Sequence, residues 1–336
     1  MSNKHVIPPG KLPGELLDRL LRTYRTPPDA SVVIDASYGF DAAAISIGGE
    51  TLLVKSDPIT FASTDAAQYL VAVNVNDISC MGGISRWMTV VALLPEDETT
   101  PELVEQQFAD LQRACQHEGI SLIGGHTEIT IGVDRPLLIG TLLGTVGPNG
   151  LLEPGKANAG DELWISRSAG IEGTALLAFE REDELRAALG NDTVGTAQTL
   201  LLEPGISVSR DAQALLRTGL ITALHDATEG GVATAIRETA AASGLGAEID
   251  GAAIPILECT QAISNHFGID PLGLISSGAL IIAAQPGSEG MIRQSMVPLA
   301  KIGVLTDDPD RVTITTERGV ETLPRFDSDE LTRALG

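Results

Sequence analysis

Aromatic side chains make up only 3% of this chain, so any core it builds must be filled by Ala, Val, Leu and Ile. Cysteine is nearly as scarce. Cys80, Cys115 and Cys259 have neither the pairwise spacing of a zinc site nor that of a disulfide framework, which points to a reduced, cytoplasmic setting. Positive charge is short as well: 22 basic residues against 45 acidic ones leave a formal charge of −23. That balance repels phosphate backbones and anionic lipid, so no nucleic acid is expected as a partner. No apolar run approaches the ~18 residues needed to cross a bilayer, and none follows Met1 as a signal peptide would, so neither membrane insertion nor export is expected. Walker loops and dinucleotide fingerprints are also missing.

What is present is 336 residues, 43% of them hydrophobic, which is more than one core usually holds and implies two domains. The run from Asp65 to Gly83 organises the rest. It holds no Gly or Pro from Asp65 through Met81, so its length favours a helix, although Val71, Val73 and Val75 alternate as in a strand. On a helix, Asn74, Asp77 and Met81 share one face. An ionised carboxylate in apolar surroundings is costly, so Asp77 needs a partner: a backbone group that it caps, or a cation.

An amphipathic helix over 15–23 follows the arm Pro8-Pro9-Gly10-Lys11. Short strands are expected at 32–34, 42–47 and 51–55, with Asp41 and Asp57 at turns beside them. A strand at 87–94, a helix at 101–119 and a strand at 137–146 come next, with Gly124-Gly125 read as a turn that presents His126, Thr127 and Glu128. The Gly- and Pro-rich stretch 147–160 carries no apolar period and marks a domain boundary. Beyond it, a strand at 162–166, helices at 174–180 and 207–218, and His225-Asp226-Ala227-Thr228-Glu229-Gly230-Gly231 lead into a helix at 232–242. Strands at 247–249, 278–284, 302–305 and 312–315, a helix at 288–299 and a terminal helix at 327–336 complete the chain. The expected divisions are 1–30 (arm and helix), 31–147 (N-terminal domain), 148–160 (linker), 161–318 (C-terminal domain) and 319–336 (tail).

Asp41, Asp57, Asp77, Glu128 and Asp226 sit beside glycines, turns or element ends. A few carboxylates together with phosphate oxygens are what Mg2+ takes, and phosphoryl transfer relies on such charge neutralisation and positioning. The glycines of Gly124-Gly125 allow close backbone approach, and Gly230-Gly231 would open a helix N-terminus to an anion. Equally, these glycines serve tight turns.

In order, Gly39-Phe40-Asp41-Ala42-Ala43, Ser56-Asp57-Pro58, Asn76-Asp77, Gly124-Gly125-His126-Thr127-Glu128 and His225-Asp226-Ala227-Thr228-Glu229-Gly230-Gly231 resemble the aminoimidazole ribonucleotide (AIR) synthetase superfamily, and within it the hydrogenase-maturation HypE branch. The resemblance implies an α/β (α+β) fold of two domains, with a mostly antiparallel N-terminal sheet that joins a second copy's sheet into a barrel. It implies a homodimer that uses ATP and Mg2+, transferring the γ-phosphoryl group to an amide, carboxylate or hydroxyl oxygen of an unidentified small-molecule or protein-borne substrate. Asp41, Asp57, Asp77 and Glu128 are then metal ligands; Asn76, Gly124, Gly125, His126, Thr127, Thr228, Gly230 and Gly231 contact the nucleotide; and Asp226, His225 and Lys11 carry the chemistry. Two departures stand out. Phe40 replaces the first Asp of the usual Gly-Asp-Asp-Ala-Ala, and no cysteine lies beyond Cys259, where HypE proper carries a C-terminal cysteine for carbamoylation. Self-carbamoylation is therefore not expected. The alternatives are a non-catalytic nucleotide-binding scaffold and a small-molecule kinase resembling thiamine-monophosphate kinase.

Overall fold

The computed structural model describes residues 7, 11–27, 29–60, 62 and 65–336; the proline arm at 8–10 lies outside them. The N-terminal half runs α1 (Gly14–Thr23), β1 (Val32–Ile34), β2 (Ala43–Ile47), β3 (Glu50–Ile59), α2 (Ala66–Cys80), β4 (Gly83–Pro95), α3 (Pro101–Glu118), β5 (Ser121–Thr130) and β6 (Leu137–Val146). Its six strands lie in the order β1-β2-β3-β6-β4-β5. Only β4 and β5, joined through α3, pair in parallel, and the other pairs are antiparallel.

The C-terminal half runs β7 (Glu162–Ser166), α4 (Ile171–Glu180), α5 (Glu182–Leu189), α6 (Asn191–Thr199), α7 (Ser209–Leu216), β8 (Ile221–Asp226), α8 (Gly231–Ala242), β9 (Gly246–Asp250), α9 (Glu258–Phe267), β10 (Leu280–Ala284), α10 (Glu289–Ile292), β11 (Leu299–Thr306), β12 (Val312–Thr316), β13 (Gly319–Thr322) and α11 (Glu330–Leu335). Its seven strands lie in the order β13-β12-β9-β11-β7-β10-β8. The fold is α/β in two domains, as expected.

The α2 helix joins them. It packs on β3, β4 and β6 of its own sheet and on α7 and β8 of the other domain, so 13 of its 15 residues are buried. A helix covered on every side needs no polar stripe, and its few polar side chains, such as Asn74, Asn76 and Asp77, are buried with the rest. Asn76 fastens the contact: its Nδ2 donates to Ile206 O at 2.9 Å, and Val208 N donates to its Oδ1 at 2.8 Å.

Three expectations are corrected. Asp57 is not at a strand end but inside β3, opposite Gly140 of β6. Proline fits there because β2 stops pairing at Val54, leaving the stretch around Pro58 with one open side. Gly124-Gly125 is not a turn. Both glycines lie within β5, where the register to β4 skips between Leu122 and Gly124, and a Cβ on Gly125 would stand 1.8 Å from Val90 O. The helix expected at 288–299 ends early, and Leu299 already belongs to β11. The helix Glu258–Phe267 and the strand Gly319–Thr322 are additions to the expected elements.

Candidate functional site

Asp41, just before β2, and Asp57, on β3, come from the N-terminal sheet; Asp77 comes from the last turn of α2, and His225 and Asp226 end β8. The sheet register places Asp226 opposite Leu280 of β10. Two of these acids meet at Lys55, which sequence reasoning misses. Its Nζ lies 3.2 Å from Asp57 Oδ2 and 3.3 Å from Asp77 Oδ1. Burial opposes its charge, but Asp77, Asp57, Asp41 and Asp226 more than offset that and hold the ammonium protonated. The signal is there: Lys55 and Asp57 are two apart on a strand and so share a face.

Asp77 thus has the partner its setting demands. Burial nevertheless pushes its carboxyl well above the usual range; Lys55 pulls it back, and the like charges of Asp226, Asp57 and Asp41 add to the rise. Asp226 is almost fully buried, its Oδ2 has no hydrogen-bond partner, and burial together with Asp41 raises it to about 7. Buried carboxylates with an orphaned oxygen make a donor set suited to a divalent cation held against phosphate oxygens.

His225 is enclosed. Its Nδ1 stands 2.5 Å from Asp41 Oδ1, close enough for an ion pair but without the alignment of a hydrogen bond. Its Nε2 is 2.9 Å from Glu238 Oε2. Burial works against the charged ring, yet Asp41 and Glu238 raise it to about 10. Glu238, on α8, also escapes the sequence; a lone acid in an Ala-rich helix is its only mark. Burial would raise it, but Lys11 and His225 bring it down to about 2. Lys11 donates to Thr228 Oγ1 at 2.7 Å and lies within 4 Å of Glu229 and Glu238. A cavity of ≈540 Å³ is lined in part by Lys11, Tyr38, Glu229, Arg237 and Glu238.

Other expected site residues lie elsewhere. Asn76 spends both ends of its amide on the backbone of the 206–208 stretch. The helix N-terminus at Gly230-Gly231 already has its anion, because Gly230 N donates to Asp329 Oδ2 at 2.7 Å. Gly231 allows close packing, since a Cβ there would meet Leu272 O at 2.5 Å. His126, Thr127 and Glu128 are exposed on β5, with His126 Nε2 3.3 Å from Glu128 Oε2. Asp57, Gly140, Val90 and Gly125 form one row across β3, β6, β4 and β5, and three strand spacings put about 14 Å between Asp57 and Gly125. Within one chain Glu128 does not join the other carboxylates. Phe40, in place of the family's acid, packs against the N-terminal core.

Residues 39–146 match the N-terminal domain of AIR synthase related proteins, and residues 158–315 match their C-terminal domain. The carbamoyl dehydratase HypE of Escherichia coli (strain K12) is 27% identical over 252 residues, covering 73% of this chain and 71% of that protein. The crystal structure of hydrogenase maturation protein HypE in complex with ATP is similar at a TM-score of 0.70 and 23% identity, over 94% of this chain and 96% of that one. A structure of AaThiL complexed with AMPPCP and TMP gives 0.69 and 19%, over 87% and 90%. At such identities the structural likeness shows the fold.

Proposed function

Because the chain belongs to the AIR synthase related family, we propose that it is a HypE-like enzyme that binds ATP with Mg2+ and transfers the γ-phosphoryl group to a substrate oxygen. The observation that carries this reading is the grouping of Asp57 and Asp77 around Lys55, with Asp41 of the same domain set within 4.8 Å of His225 and Asp226 of the other. Asp57 and Asp77 are the residues to hold Mg2+, with Asp41 and Asp226 beside them. When bound, that ion neutralises charge on the triphosphate. With that ion in place, Lys55 would be released from Asp57 and Asp77 and, with Lys11 of the arm, would be free to pair with phosphate. His225, braced by Glu238, positions Asp41. The cavity that shares Lys11, Glu229 and Glu238 with this group has the size of a small-molecule site and is assigned to the acceptor.

A diffusible or partner-borne acceptor is favoured over a thiol of this chain, because Cys80, Cys115 and Cys259 are all buried. The similar structures include HypE with ATP and AaThiL with AMPPCP, which supports nucleotide use and leaves a small-molecule kinase as the second reading. We further propose a homodimer. The β5 edge is exposed along its length and, with Leu122, Ile123, Ile129 and the neighbouring Phe108 and Ile131, forms an apolar border that a second copy would cover. Such a joint would let Glu128 and His126 of one copy serve the nucleotide of the other. The test is ADP release on presenting carboxylate, amide and hydroxyl acceptors with Mg-ATP. Acceptor-dependent release supports the enzyme; thermal stabilisation by Mg-ATP without turnover would favour a nucleotide-binding scaffold.

A further inference from the structure

We propose that Lys55 is a built-in counter-ion that keeps a divalent cation off Asp57 and Asp77 until a polyphosphate arrives to receive its ammonium, so that metal and nucleotide enter the cleft only together. This rests on the reading of the cleft as a site for ATP and Mg2+, and adds to it the residue that couples the two ligands. Along β3, Leu53, Lys55 and Asp57 point to one face, at the strand's period of two. That face lies under α2: Leu53 is wholly buried, and a Cβ on Gly140, opposite Asp57, would stand 3.1 Å from Asn74 Nδ2 and 3.2 Å from Leu70 Cγ on that helix. The ammonium is therefore only partly open to water, with the Lys55 side chain 22% exposed and that of Asp77, which faces it from α2, 7% exposed.

Both acids are already engaged. Asp57 Oδ2 and Asp77 Oδ1 lie 3.2 and 3.3 Å from the one Nζ, which puts the ammonium where a cation shared by the two carboxylates would sit. A metal ion arriving alone must expel a positive charge from a half-closed place, and at a few ångströms, in surroundings less polar than water, the two cations repel each other. A triphosphate arriving alone meets carboxylates whose lysine is committed to them. With both present, the carboxylates pass to the ion and the ammonium passes to the phosphate oxygens, so that every charge keeps a partner. No backbone change is needed, because the flexible four-carbon stem of a lysine lets Nζ swing from one partner to the other. Each ligand then raises the affinity of the other by the same factor.

The test measures binding on the full chain, freed of metal and of nucleotide. Mn2+ is titrated by electron paramagnetic resonance with and without AMPPCP, and circular dichroism confirms that each variant folds. The wild type should take up Mn2+ at least ~10-fold more tightly with AMPPCP than without it, after correction for the free Mn-AMPPCP complex; equal uptake overturns the proposal whatever the variants do. Lys55→Met, which fills the same space without charge, should move the two ligands in opposite directions: Mn2+ without nucleotide binds at least ~10-fold more tightly than to the wild type, and Mn-AMPPCP at least ~10-fold less tightly. A merely structural lysine would weaken both, and affinities that fail to move apart in the folded variant overturn the proposal. Lys55→Arg keeps the charge and should keep the lone ion out. Adding Asp77→Asn to Lys55→Met should remove the gained ion; its persistence would place it elsewhere and overturn the proposal. If the wild type binds Mn-AMPPCP but shows no coupling, the ATP reading stands and only Lys55 loses its role, whereas a wild type that binds no AMPPCP with any metal overturns the ATP reading and the coupling with it.

Discussion

Among single residues, the interior polar groups are the ones with assignable energetic consequences. Asn76 is the simplest. Replacing it with Ala orphans Ile206 O and Val208 N in a buried seam, at about 1–3 kcal/mol for each group. Asn76→Ala should therefore lose about 2–6 kcal/mol in chemical denaturation, and a loss within experimental error would mean that the seam does not hold the domains.

Glu172, on α4, gives a pH dependence. It is buried, accepts from Ser277 N at 3.2 Å, and burial raises it from 4.5 to about 8. Between those values the folded chain keeps a proton that the unfolded chain has released, so stability falls as pH rises from about 4.5 to 8 and levels off above. Across that window the slope is about 1.4 kcal/mol of stability for every pH step of one. Glu172→Gln should flatten this part of the stability profile and make the variant the more stable protein near pH 8. Parallel profiles for the two proteins would refute the assignment. Such partners are only half legible in sequence: Asp77 announces its need for a counter-ion, but Lys55 and Glu238 act from other elements, and nothing local names which distant side chain arrives.

Among the helices and strands, α2 is legible because its length without Gly or Pro outweighs the alternation of Val71, Val73 and Val75. The β5 strand is not. Gly124-Gly125 carries the spelling of a turn, yet Gly125 is required by the approach of Val90 O, with φ at 147°, a contact with another strand that sequence does not display. Pro58 misleads in the same way, because its tolerance depends on where β2 ends. The exposed β5 edge leads to a prediction about association. Ile123 and Ile129 are 58% and 56% exposed, so substituting both with Asp should convert a sedimenting dimer to a folded monomer. A wild type that is monomeric at all concentrations, or a double variant that remains dimeric, would contradict the proposed joint. Gly125→Ala should loosen β5 itself, seen as faster amide exchange confined to that strand and its neighbour β4; unchanged protection would deny the close approach.

Across the molecule, the two sheets and the helix between them bring Asp57 and Asp77 to one ammonium and Asp41 to His225 and Asp226 of the other domain. The two-domain α/β class and the residue types at Asp41, Asp57, Asp77 and Asp226 can be read from the sequence. That His126 and Glu128 stand apart from them cannot, because it depends on strand order. Cation-dependent nucleotide binding at Asp57 and Asp77 is the central requirement, and it is measured by calorimetric titration of the full chain with AMPPCP, with and without Mg2+, in the wild type and in Asp77→Asn. The expected result is binding by the wild type that requires Mg2+ and is weakened at least ~10-fold in the folded variant, in keeping with the loss of a charged ligand. Equal affinity in the two proteins, or binding indifferent to Mg2+, would contradict it.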